Sequence, residues 1–162
     1  MAIKINIATL NEGSQQIVLS ADFRELGFEE NFVKDNVDVS LEFYKSTHQL
    51  DVKVKISGSL RMDCDRCLEE FYKPFETKFE MVYVQKAERE DEIDEDYIRT
   101  YNPFMKTIDL TNDIKEMVIL SVPMKKLPDE NKDGSCSWCG KTKDYWNSVI
   151  IDEDELKSMN NN

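Results

Sequence analysis

Val37-Asp38-Val39-Ser40-Leu41-Glu42-Phe43 is followed, after the short stretch Tyr44 to Gln49, by Leu50-Asp51-Val52-Lys53-Val54-Lys55-Ile56. In each run an apolar side chain recurs at every second position with a polar one between. Successive side chains of a strand point to opposite faces, so this alternation is that of a strand with one face buried and one in water. The intervening stretch is short enough for a hairpin loop, and the two runs predict an antiparallel pair. Gly58 permits a bend where the second strand continues towards Leu60 and Met62. Further on, Phe75, Thr77, Phe79, Met81 and Tyr83 repeat the pattern in another long strand, with Pro74 near its start, where a missing N–H does least harm.

Working outward, Ile3, Ile5 and Ile7 open the chain as a short strand that Asn11 to Ser14 interrupts, and Ile17 to Leu19 read as a second. Asp22 to Phe28 has no decisive period. Between Ile108 and Val122 the period changes: Leu110, Ile114, Met117, Val118 and Ser121 fall on one helical face. Asp109 or Thr111 can cap that helix, Asp113 suits its positive end and Pro123 stops it. The expected fold is therefore α+β, a mainly antiparallel twisted sheet covered by one principal helix.

At 162 residues the chain suits one domain over residues 1–128, with a C-terminal segment over 129–157 packing on it and 158–162 frayed. Residues 129–134 read as a polar, flexible lead into the second cysteine pair. The formal net charge of -12 opposes attraction to nucleic-acid phosphates and favours basic partners. Lys125, Lys126, Lys132, Lys141 and Lys143 are either scattered solubilising residues or a local basic patch. Glu88 to Asp96, with seven acids in nine residues, reads as a solvated loop or as an acidic tongue for a basic protein. The longest apolar runs fall far short of the roughly 20 residues a membrane span needs, and Met1 to Leu10 lacks the pattern of a secretory leader. A cytoplasmic protein with no membrane partner is expected.

Two cysteine pairs concentrate the chemistry: Cys64-Asp65-Arg66-Cys67 and Cys136-Ser137-Trp138-Cys139. A Cys-x-x-Cys turn can aim two sulfurs at one ion, and a structural zinc needs four such ligands. Gly140, just after the second pair, suits the positive dihedral with which such turns close. Against this, 68 residues separate Cys67 from Cys136, a longer insert than compact zinc ribbons use. Zinc held by all four cysteines, unligated thiols and a redox pair stay open as readings. The redox reading needs a depressed thiolate pKa in a strand–helix setting, and neither pair has that setting. His48, the only histidine, reads as an exposed loop residue. With no phosphate loop, hydrolase motif or nucleophile–base pair in the sequence, a binding or assembly factor is expected before an enzyme.

Gly58-Ser59-Leu60, the string Cys64-Asp65-Arg66-Cys67-Leu68-Glu69, Phe71, the acidic loop, Ile108-Asp109-Leu110, Glu116 and Leu120-Ser121-Val122-Pro123 together resemble the YceD-like family of large ribosomal RNA subunit accumulation proteins. The resemblance implies a factor needed for synthesis, processing or stability of large-subunit ribosomal RNA. It matches Cys64 and Cys67 to the family's central pair, and Cys136 and Cys139 to its C-terminal cysteine-rich segment. Where the family has Asp-Pro-Arg followed by leucines, this chain has Ile151 to Leu156. Acidity makes a basic ribosomal protein or RNA-processing factor the expected direct contact. The alternative is direct contact with the RNA or its precursor through Arg66, Lys125, Lys126, Lys141 and Lys143, and a thiol oxidoreductase is the enzyme rival. Arg66 is either a turn residue with its stem on the strands or a bidentate contact to phosphate or carboxylate.

Overall fold

The computed structural model describes residues 3–28, 32–85, 98–102, 104–137, 139–142 and 144–145. Glu88 to Asp96, Lys143 and the segment from 146 onward lie outside the described residues. The chain divides into two compact units, one of residues 1–61 and 74–123, the other of 62–73 and 124–162.

The first unit is built on a five-stranded sheet. Its strands are β2 (Gly13–Asp22), β3 (Val33–Lys45), β4 (Gln49–Asp63), β5 (Glu70–Gln85) and β6 (Ile98–Tyr101), side by side in chain order. The end of β4 and the start of β5 belong to the second unit. The β3–β4 hairpin is where the alternation placed it: Val39 pairs with Ile56, Leu41 with Val54 and Phe43 with Val52. All six of these side chains are buried, as are Val37 and Leu50. On the opposite face Glu42 pairs with Lys53 and Ser40 with Lys55, and Lys53 and Lys55 reach Glu80 and Glu76 at 3.5 and 3.0 Å. One face is thus hydrocarbon and the other a ladder of exposed ion pairs.

Gly58, inside β4, faces Phe75: a Cβ there would lie 2.9 Å from the ring. The missing side chain lets an aromatic from the neighbouring strand lie over the backbone. On β3 the register slips between Lys34 and Asp38, and Asp35 adopts φ +60 within that bulge.

A smaller sheet joins the two ends of the unit. β1 (Lys4–Asn6) pairs antiparallel with β7 (Thr107–Asp109), Ile5 opposite Ile108. A 3₁₀ turn over Ile7–Thr9 follows β1, and Lys45 Nζ donates to the carbonyls of Ile7 and Leu10. The helix α1 covers Thr111–Leu120 and buries Ile114 and Val118. Asp109 Oδ1 accepts from the Thr111 amide and hydroxyl, and these bonds hold the Asp109 carboxyl below its ordinary pKa. The Arg99 guanidinium forks onto the Asp113 carboxylate in the first turn of α1, and Lys115 Nζ donates to the Gly27 carbonyl.

The α+β expectation, a sheet covered by one principal helix, is corrected: the protein is mostly β, with a five-stranded mixed sheet, a two-stranded sheet and one ten-residue α-helix among the described residues. Two physical reasons account for it. The strands run further than their alternation marks, since β4 and β5 reach 15 and 16 residues. Meanwhile Ile108, counted as helical in sequence, takes its backbone bonds from β1 and leaves a helix too short to cover such a sheet. The sheet is mixed because β6 pairs parallel to β5. No helix among the described residues is long and apolar enough to cross a membrane.

Candidate functional site: two matched cysteine turns

All four cysteines lie in the second unit, and none forms a disulfide. The two Cys-x-x-Cys turns share one backbone design. In the first, the Cys64 amide donates to the Glu69 carbonyl at 2.9 Å and the Leu68 amide donates back to the Cys64 carbonyl at 2.8 Å. In the second, the Cys136 amide donates to the Lys141 carbonyl at 3.0 Å and the Gly140 amide donates back to the Cys136 carbonyl at 2.8 Å. The offsets are identical. So is the conformation of the residue after the second cysteine, left-handed in both: Leu68 at φ +59 and Gly140 at φ +71. Gly140 adopts that dihedral without penalty, whereas Leu68 carries a Cβ into it and is held by the turn's hydrogen bonds.

The first cysteine of each pair, Cys64 and Cys136, is buried, and the second, Cys67 and Cys139, is half-buried. Burial, joined by the neighbouring thiols of Cys64 and Cys139, pushes the Cys67 thiol up to about 11 against a hydrogen bond with the Glu69 backbone. Cys67 therefore links its own turn to the other. Among the described residues no three His, Cys, Asp or Glu side chains stand as a ready metal cage. The donor set of this unit, four cysteines and no histidine among its described residues, is one that zinc accepts in general.

The segment before Cys136 is ordered, unlike the flexible lead expected from its polarity. Asn131 donates its backbone amide to the Ser135 carbonyl and its side-chain amide to the Ser135 hydroxyl, Asp133 Oδ1 accepts from the Ser135 amide and hydroxyl, and Glu130 bridges antiparallel to Cys136. The Ser135 bonds hold the Asp133 carboxyl below its ordinary pKa.

Of the residues expected to touch a partner, Arg66 donates to Glu130 Oε1 at 3.3 Å. Lys125 and Lys126 are exposed side by side, and the Lys126 backbone is engaged at both ends: its amide donates to Asp65 Oδ2 and its carbonyl accepts from the Asp65 amide. Lys141 Nζ lies 3.2 Å from the Tyr145 hydroxyl and over its ring, a contact that raises its pKa. Asp65 and Glu130 are the residues that sequence reasoning missed. Asp65 was visible as the short polar filler of a Cys-x-x-Cys turn, but nothing local marks Glu130, which meets Arg66 across 64 positions of chain.

Residues 52–158, more than half of the chain, match the family described as large ribosomal RNA subunit accumulation protein YceD. The chain belongs to that family. Both cysteine turns fall inside the matched stretch, so the YceD region includes the end of the sheet hairpin, α1 and most of the second unit. No curated protein and no solved structure matches the chain.

Proposed function

We propose that this YceD-family protein acts in the cytoplasm as a non-catalytic factor that supports accumulation of large-subunit ribosomal RNA, and that it does so through a basic ribosomal protein or RNA-processing factor. The ribosomal role rests on the family match. The choice of a protein partner rests on charge, a formal -12. Five of the 21 Lys and Arg side chains are also engaged internally: Lys53, Lys55, Arg66, Lys73 and Arg99 each pair with a carboxylate of the same chain. A phosphate-binding face needs several cations free to displace counterions.

The cysteines support a non-catalytic reading. A thiol oxidoreductase needs an activated thiolate in a strand–helix setting, and both cysteine pairs stand instead in hydrogen-bonded turns. The test pairs purified protein with large-subunit ribosomal RNA and, separately, with basic ribosomal proteins at physiological salt. The expected result is weak, steeply salt-dependent binding to naked RNA and a ribonuclease-resistant complex with a basic protein. Tight binding to naked RNA, together with protein complexes that all fall apart on ribonuclease treatment, would reverse the choice of partner.

A further inference from the structure

We propose that the outer edge of β2 is a docking edge, on which a basic protein partner lays an extended segment of alternating apolar and basic side chains as one further strand of the sheet. The class of partner, a basic protein, rests on the proposed function; the place and manner of contact rest on the sheet itself.

β2 is the terminal strand of its sheet, and among the described residues no strand pairs on its outer side. Its ten residues run in unbroken register against β3, from Gly13 opposite Lys45 to Asp22 opposite Asn36. In an antiparallel pair every second residue turns its N–H and C=O away from the partner, so this edge offers a long row of donors and acceptors. Such edges are normally blunted by charge, proline or a bulge. β2 has none of these: Ser14 to Ala21 contains no charged residue and no proline. The far side of the sheet is built differently. Beyond the stretch that β6 covers, β5 carries Pro74, Glu76, Lys78 and Glu80, the devices that β2 lacks.

The two faces along the edge decide what fits there. On the core side Gln15, Ile17 and Leu19 are only half-buried, although the residues opposite them, Phe43, Leu41 and Val39, are at most 1% exposed. Apolar side chains at alternate positions of an added strand would cover Ile17 and Leu19 and complete that layer. On the other face lie Ser14, Gln16, Val18 and Ser20, with Val18 71% exposed. Gln16 stands opposite Glu42 and Ser20 opposite Asp38, and Glu12 and Asp22 are exposed at the two ends. Acids thus frame an uncharged strip. The cations nearby are turned to other uses: Lys45 Nζ donates to the Ile7 and Leu10 carbonyls, and Arg24 lies over the Phe23 ring. Lysine or arginine at the intervening positions of an added strand would meet the acids. A second copy of the chain fits worse. Two β2 strands paired antiparallel about their centres bring Asp22 of each beside Glu12 of the other, and like charges so placed oppose pairing.

The test uses the full chain and a labelled synthetic peptide of alternating valine and lysine, long enough to span Ser14 to Ala21. Fluorescence anisotropy should show binding that weakens with salt, and amide exchange in β2 should slow when the peptide is bound. The same peptide with glutamate for lysine, or with every backbone amide methylated, should not bind. Val18→Lys places a like charge in the strip without touching the core and should weaken binding by about fivefold, and Asp38→Asn should weaken it in the same direction. Unchanged binding in Val18→Lys or by the methylated peptide, or protection that appears on β6 instead of β2, would overturn the docking edge. A chain that sediments as a dimer, with β2 protected before peptide is added, would overturn the choice of occupant in favour of a second copy. Peptide bound at β2 while no basic ribosomal protein binds would uphold the edge and remove the ribosomal partner. A basic ribosomal protein that binds and leaves β2 unprotected would do the reverse.

Discussion

The first unit and the second are held together by different physics. In the first, β3 and β4 alone bury eight apolar side chains between Val37 and Ile56, each at most 2% exposed, and hydrocarbon removed from water supplies the stability. In the second, the buried residues are few: Met62, Cys64, Phe71, Pro128, Ser135 and Cys136 among those described. Its order comes from hydrogen bonds that close turns, at Cys64, Asn131, Asp133 and Cys136. Each such bond adds little net stability, about 1 kcal/mol, because water would make it too. A region with so small a core is the kind that proteins staple with metal or disulfide. The sheet is stable through its interior, and the described part of the cysteine unit through its hydrogen-bonded turns.

The sharpest way to break this contrast is to attack the sheet core. Phe43→Ala removes a ring that is 1% exposed, and should lower the unfolding free energy by about 3–5 kcal/mol in urea titration. A smaller loss would mean that the hairpin core is not what holds the first unit. Disturbing the second unit's cysteine turns should act locally instead. Cys136→Ser, at a residue that is buried and closes its turn, should speed amide exchange within residues 131–141 by about tenfold or more, equivalent to ~1.4 kcal/mol of local opening, with β3 and β4 still protected. Loss of protection in the sheet at the same rate would erase the distinction between the units.

Two changes probe finer features of the first unit. Gly58→Ala forces the Phe75 ring to move from a 2.9 Å approach and should cost about 1 kcal/mol, read from the urea midpoint. Asp109→Ala removes the acceptor of the Thr111 amide and hydroxyl and should also cost about 1 kcal/mol at neutral pH. Because the folded carboxyl titrates below its ordinary 3.8, its contribution is complete above that pH and disappears as pH falls through the folded value. Stability curves of the two chains should therefore converge in acid. The smallest effect belongs to the exposed ladder: a double-mutant cycle on Lys53 and Glu80, both more than half exposed, should give no more than about 0.5 kcal/mol, and less at high salt.

Much of the first unit was legible because its signal is local. Alternation from Val37 to Ile56 dictates a half-buried hairpin whatever surrounds it, and the observed pairs follow it. The helix was legible in kind but not in length. Ile108 opened the stretch read as helical, yet its backbone is used by β1 from the far end of the unit, a pairing with no local mark. The five-stranded sheet's parallel edge, β6 on β5, was equally hidden, since register across a long connection depends on closure and not on pattern.

For the candidate site, the residues alone determined that four thiols in two equal pairs exist, that no second histidine competes as a ligand, and that the chain is acidic. Tertiary structure decided what those facts amount to. It built the two turns to one hydrogen-bond design and put Cys67 beside Cys139. It also gave Asp65 and Arg66 partners at Lys126 and Glu130. Spacing within a pair is a local property, set by four consecutive residues. Spacing between pairs is set by where folding returns the chain after 68 residues, and that depends on every contact made along the way.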